Sequence, residues 1–131
     1  MLALGAKREE LLAELVDIGR DMFVAGLVGS HSGNMSVRIG GCVVVTRRGA
    51  RLGRLNAKDL VEFALVNPEV PMEGSSESAL HHAVYTISPS LSVIHAHPPS
   101  AIAVTLMEDA KEFVPQTVEG SHYMPLVPVI D

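Results

Sequence analysis

The run Gly33-Asn34-Met35-Ser36-Val37-Arg38-Ile39-Gly40-Gly41-Cys42-Val43-Val44-Val45-Thr46 decides the architecture. In its first half the apolar residues Met35, Val37 and Ile39 alternate with the polar residues Asn34, Ser36 and Arg38. A period of two is the signature of a strand buried on one face. Gly40-Gly41 is a two-residue hairpin turn signal. Cys42 to Thr46 is continuous and β-branched, as a buried strand is. The spacing predicts an antiparallel hairpin.

Before the hairpin, Lys7 to Ala25 carries Leu11, Leu12, Leu15, Val16, Ile18, Met22 and Phe23 as a helical stripe, and Gly26 and Gly29 end it. After the hairpin, Asn56 to Leu60 reads as a short capped turn, and Val61 to Val66 as a third strand stopped by Asn67-Pro68. Ser75-Ser76-Glu77 opens a helix to about Ile87, with Leu80, Val84 and Ile87 on one side. Leu91 to His97 is a strand, Pro98-Pro99 starts another helix, and Met124 to Ile130 is a last extended apolar piece. Neighbouring strands followed by alternating elements predict an α/β or α+β layered fold around a mostly antiparallel sheet.

The chain has 131 residues, 47% hydrophobic and 19% charged, which is the composition of one globular domain. A net charge of −5 argues against a nucleic-acid binder held by a basic field. No apolar run approaches the ~20 residues of a membrane span. The apolar stretch at the start runs into charge too soon for a signal peptide. Cys42 is the lone cysteine, so no intrachain disulfide or thiolate zinc cluster forms, and the cytoplasm is the expected compartment.

Four groups of residues could carry chemistry. His95 and His97, two apart on a strand, leave the same face, and two imidazoles so placed can share a metal ion. The same pair also suits a strand mouth where each ring bonds backbone or water. Ser75-Ser76-Glu77 at a helix start offers free N–H groups to an anion, and equally suits an ordinary capped helix. Gly29-Ser30-His31-Ser32-Gly33-Asn34 permits close backbone approach to a ligand, or is a plain connection, and it contains no nucleotide-binding motif. Thr46-Arg47-Arg48-Gly49 could hold a phosphate or be a solvated turn. His82 reads as a surface residue, while His81 could pack or orient a neighbour.

Taken together and in order, these groups resemble the class II aldolase and adducin N-terminal domain family. The family's G-[ST]-x-G-N-x-S loop stands here as Ser30-His31-Ser32-Gly33-Asn34-Met35-Ser36. Its T-P-[ST]-G turn is Thr46-Arg47-Arg48-Gly49, followed by Leu55 to Leu60. Its P-[ST]-S-E-x-x-x-H is Gly74-Ser75-Ser76-Glu77-Ser78-Ala79-Leu80-His81, and its V-x-H-[TA]-H-[PS] is Val93 to Pro98. The resemblance runs from about Glu9 to Val129 and covers only the first part of the longer family domain. The family's third zinc histidine, in an N-H-G motif further along, has no counterpart here. His31, Arg47, Arg48 and Gly74 also depart from the family's usual residues.

The resemblance implies a three-layer α/β/α fold with a central, mostly antiparallel sheet, as one domain over 1–131 lacking the family's C-terminal part. It implies a zinc-dependent lyase that cleaves a small sugar phosphate through a metal-stabilised enediolate. By the resemblance Zn2+ falls to His95 and His97; two histidines leave the metal short of ligands, so either Glu77 is a further ligand, or His31 or His122 substitutes, or the chain is a shortened or split protein that binds metal poorly and is not active alone. Glu77 is also the catalytic proton carrier. Gly33, Asn34, Thr46, Gly49, Ser75 and Ser76 fall to the substrate phosphate. Family members also epimerise, dehydrate and decarboxylate related substrates. The other reading is a non-catalytic module of the same fold that acts in assembly. The partner implied is a small phosphorylated sugar, with no nucleic acid and no membrane, and the chain is expected to form a homo-oligomer, a tetramer by resemblance.

Overall fold

The computed structural model describes residues 2–107 and 111–130, with side chains from residue 9 onward, so Lys7, Arg8 and Asp131 lie outside the described side chains. Two compact units divide between His97 and Pro98.

The first unit opens with α1 (Leu2–Val24) and continues through the hairpin of β1 (Asn34–Ile39) and β2 (Cys42–Thr46). Two 3-10 turns, Leu52–Arg54 and Ala57–Asp59, lead into β3 (Leu60–Ala64). Then come α2 (Ser78–Ile87) and β4 (Ser92–His95). The sheet order is β3-β2-β1-β4 and every pairing is antiparallel.

The hairpin forms where the alternation placed it, with Ile39 opposite Cys42 across Gly40-Gly41. Val43, Val44 and Val45 run continuously because β2 is covered on both faces. Val44 joins a core with Leu11, Leu15, Met22, Met35 and Leu52 on the α1 side. Val43 and Val45 join Phe63 and Tyr85 on the α2 side. The first unit is therefore three layers, helix on sheet on helix. Gly26 ends α1 with φ +69°, and Leu27 N donates to Met22 O at 2.9 Å, closing the last turn as a glycine C-cap does. Asn56 caps the second 3-10 turn through a reciprocal pair with Asp59.

Two readings of α2 are corrected. The helix begins at Ser78, because Ser75 and Glu77 form a preceding turn in which Glu77 N donates to Ser75 Oγ at 3.2 Å. Its buried side carries Ser78, His81 and Tyr85, while Leu80 and Ile87 face solvent. His82 is half-buried, with Nε2 2.9 Å from Leu65 O, and is not a plain surface residue. In α1, Ile18 and Phe23 of the expected stripe are exposed. β4 stops at His95, so His97 lies just past the strand.

The second unit holds α3 (Pro99–Thr105), α4 (Val118–Tyr123) and a small antiparallel pair, β5 (Glu112–Phe113) with β6 (Val127–Pro128). Pro99 takes the first turn of α3, where its missing N–H costs nothing. The extended tail expected over Met124 to Ile130 contains β6. Among the described residues no helix is long and apolar enough to cross a membrane.

Candidate active site

The ends of β1, β2 and β4 meet the turn before α2. Asn34 stands opposite His95 in the β1–β4 register, so both side chains leave the same face of the sheet, which is the α2 face. Glu77 closes the arrangement from the helix side. Its Oε2 accepts from Asn34 Nδ2 at 3.2 Å and contacts His95 Nδ1 directly. The His95 and His97 rings lie 4.7 Å apart, centre to centre, and tilted by 39°.

Hydrogen bonds hold the loop ends around this pair. Met35 N donates to Thr46 Oγ1 at 3.1 Å, Ser75 N donates to Thr46 O at 3.2 Å, and Glu77 N donates to Ser75 Oγ. With the Asn34–Glu77 contact this closes a ring through residues 34, 35, 46, 75 and 77. Gly33 is required beside it: its φ is +79°, and a Cβ there would fall 2.6 Å from Val28 Cγ1 and 2.8 Å from the His95 carbonyl oxygen. Gly33, Asn34, Thr46 and Ser75 are thereby brought together with Glu77 and His95. Gly49 and Ser76 sit on exposed turns outside the ring. His31 is exposed, with its ring bonded to Ser30 Oγ at 3.1 Å and to Arg51 Nε at 3.4 Å.

A bare Nδ1 lone pair would repel Oε2, so the tautomer that suits this contact has its proton on Nδ1 and donates it to Glu77. Asn34 Nδ2, 3.2 Å from the same nitrogen, then makes its bond to Glu77 and not to the ring. His95 Nε2 is left as a lone-pair donor. A histidine backed at one nitrogen by a carboxylate is the usual form of a metal-ligating imidazole. By donor chemistry the His95–His97 pair fits a borderline-soft divalent cation. Among the described residues, no group of three or more His, Cys, Asp or Glu is gathered so as to hold one.

Ser36 and His81, which the motifs contain without a catalytic or ligand role, lie with Tyr85 behind Glu77. Ser36 Oγ is 2.7 Å from both His81 Nδ1 and the Tyr85 hydroxyl, and all three side chains are buried. Glu77, His81 and Tyr85 follow one another at intervals of four, a helical face that the sequence could have shown. Burial pushes the Tyr85 phenol up, against the opposing pull of Ser36 and the Val93 amide. Burial also pushes His81 below its usual value; the Glu77 carboxylate opposes this and the His95 ring adds to it. The unfolded chain thus binds a proton at His81 that the folded chain rejects. Stability is expected to fall as pH drops below about 6.5, the ordinary imidazole value. Urea midpoints at several pH values check this, and His81→Gln should flatten the acid side of the profile.

The class II aldolase and adducin N-terminal domain model matches residues 13–131. The fold matches the crystal structure of L-fuculose-1-phosphate aldolase from Thermus thermophilus with a TM-score of 0.84 and 35% identity, over 92% of this chain and 62% of that one. The chain is 34% identical to methylthioribulose-1-phosphate dehydratase of Acidiphilium cryptum, over 89% of this chain and 56% of that protein. It is 28% identical to 5-methylthioribulose-1-phosphate/5-deoxyribulose-1-phosphate aldolase of Escherichia coli, over 93% of this chain and 59% of that protein. The chain therefore spans less than two thirds of these relatives' lengths. With the family match running from residue 13 to residue 131, and the motif residues meeting at one end of the sheet, the chain belongs to the class II aldolase and adducin N-terminal domain family.

Proposed function

We propose that this chain carries the site of a lyase that cleaves a small phosphorylated ketose by an aldol reaction. The observation that supports it most directly is Glu77, a half-exposed carboxylate held between Asn34 and His95, whose ring lies 4.7 Å from that of His97. In aldol cleavage the C3–C4 bond breaks, the C4 hydroxyl loses its proton as the new carbonyl forms, and the electron pair stays on C3 as an enediolate. Glu77, as the carboxylate, takes up the C4 hydroxyl proton and then delivers it to C3, where the electron pair becomes a C–H bond. Asn34 and His95 fix the carboxylate's direction, which is what a proton carrier requires. Gly33, Asn34, Thr46 and Ser75, with Gly49 and Ser76 from the flanking turns, are assigned to the substrate phosphate. Anchoring this remote group orients the reacting carbons.

A divalent cation, zinc by its donor preference, would be held by His95 Nε2 and His97 and would polarise the substrate's oxygens. Elemental analysis after zinc exposure and desalting is expected to find close to one zinc per wild-type chain and almost none in His95→Ala/His97→Ala. Retention by the double variant would move the metal elsewhere.

The dehydratase relatives favour a second reading, loss of water from the same kind of substrate with the carbon chain intact. Incubation with L-fuculose 1-phosphate and with 5-methylthioribulose 1-phosphate separates the two. Release of dihydroxyacetone phosphate supports aldol cleavage, and a dehydrated product of unchanged carbon number supports elimination. Turnover of neither supports a non-catalytic module of this fold. As part of the same proposal, residues 1–131 form the first portion of one family domain, working in the cytoplasm as a homotetramer. Light scattering at micromolar concentration should find self-association, and a clean monomer would sink that part.

A further inference from the structure

We propose that Arg48 and Arg51 form a second anion subsite beside the phosphate ring, so that the site takes a ketose carrying a diphosphate in preference to a monophosphate. The inference rests on the assignment of Gly33, Asn34, Thr46 and Ser75 to a phosphate. The chain has ten Lys and Arg against fifteen Asp and Glu, yet Arg47, Arg48, Arg51, Arg54 and Lys58 share a stretch that contains no acid. All five are exposed. Among the described residues none of them meets a carboxylate, the ion pair there being His95 with Glu77. The next acid in sequence, Asp59, is already bonded to Asn56 in the turn cap. Like charges gathered without a counter-ion repel one another, and a bound anion relieves that repulsion.

The backbone sets this stretch against the ring. Arg47 bridges Gly74, and Arg48 N donates to Glu73 O at 2.8 Å, so both arginines leave the chain between Thr46 and the Ser75 turn. Arg47 to Ala50 closes as a turn, with Ala50 N donating to Arg47 O at 3.1 Å and Gly49 at φ +71°. A Cβ on Gly49 would meet nothing within 4 Å, so the space over the turn is open. Arg51 reaches the other loop of the ring. Its Nε donates to His31 Nε2 at 3.4 Å, and His31 Nδ1 then donates to Ser30 Oγ at 3.1 Å. With Nε engaged, the two terminal amino groups of the guanidinium remain, and these suit phosphate oxygens. His31 stands where the family's loop carries Ser or Thr, so an arginine is held here where that loop offers a hydroxyl. The carbon chain of the substrate runs from the ring towards Glu77. A second phosphate beside Arg48 is therefore one linked to the first, not one at the far end of the sugar.

Calorimetric titration of the full chain, without added metal, with inorganic phosphate and with inorganic pyrophosphate tests this. Pyrophosphate is expected to bind at least about tenfold more tightly, as charge-assisted hydrogen bonds from two arginines would give. Arg48→Ala/Arg51→Ala should bring the two affinities within about threefold of each other, with phosphate binding nearly unchanged. Arg54→Ala/Lys58→Ala removes the same charge and should keep the preference, which separates a built subsite from a general positive field. Equal affinity of the wild type for both anions, or equal loss of the preference in both double variants, would overturn the proposal. L-fuculose 1-phosphate should compete with pyrophosphate, since both fill the ring. Binding of both at once would overturn the shared ring. Ser75→Ala should weaken phosphate and pyrophosphate alike; unchanged phosphate binding would remove the ring assignment and the subsite with it. Failure of the lyase reading shows separately, as absence of turnover, and the titrations still decide the subsite.

Discussion

Glu77→Gln is expected to lower kcat on a phosphorylated ketose by about 10²- to 10⁴-fold, the range for removal of a group that transfers a proton in the transition state. The substitution is nearly isosteric. The amide oxygen can still accept from Asn34, which lies 3.2 Å from Oε2. The charge is lost, and with it any ability to carry a proton. KM should change little, because the loop residues assigned to the phosphate are left in place. Steady-state kinetics together with circular dichroism check the result. A variant as active as the wild type would remove Glu77 from the chemistry.

Leu52→Ala is the largest expected effect on stability, about 2–5 kcal/mol, from lost transfer energy and the cavity left behind. Leu52 is 1% exposed in the core between α1 and the sheet. Its Cδ1 also lies near Gly33, so the cavity would open beside the loop that carries Asn34. Against the roughly 5–15 kcal/mol typical of a domain, that loss is severe. The comparison is Leu80→Ala on the exposed side of α2, which should fall within about 0.5 kcal/mol. Urea unfolding of both variants tests the contrast. Equal midpoints would mean that the α1-side core is not what holds the unit together.

The hairpin was legible because its signals are local. Alternation in β1, paired glycines and a β-branched run each need only their own neighbours in sequence. The doubly covered β2 was readable for the same reason. The face of α2 was not. A helical wheel puts Leu80, Val84 and Ile87 inward, yet the helix buries Ser78, His81 and Tyr85. His81 and Tyr85 are acceptable inside only because Ser36, more than forty residues away, meets both. No local pattern announces so distant a partner. Motif order brought Asn34, Glu77 and His95 forward as site residues. That Asn34 bonds the carboxylate follows from the β1–β4 register, which composition and periodicity leave open. The start of α2 was misplaced for a subtler reason, since serines that favour an N-cap favour the preceding turn as well.

The pairing of Asn34 with His95 across β1 and β4 bears on quality control during folding. Side chains alternate between the faces of a strand, so a slip of one residue would send His95 to the α1 side and leave Glu77 facing Ile94 or Ala96. The site cannot degrade gradually under such an error. On the proposed function, a chain with the strands out of step would be silent, not altered in its choice of substrate. The active fraction of a preparation would then be bounded by the fraction whose central sheet has closed in register.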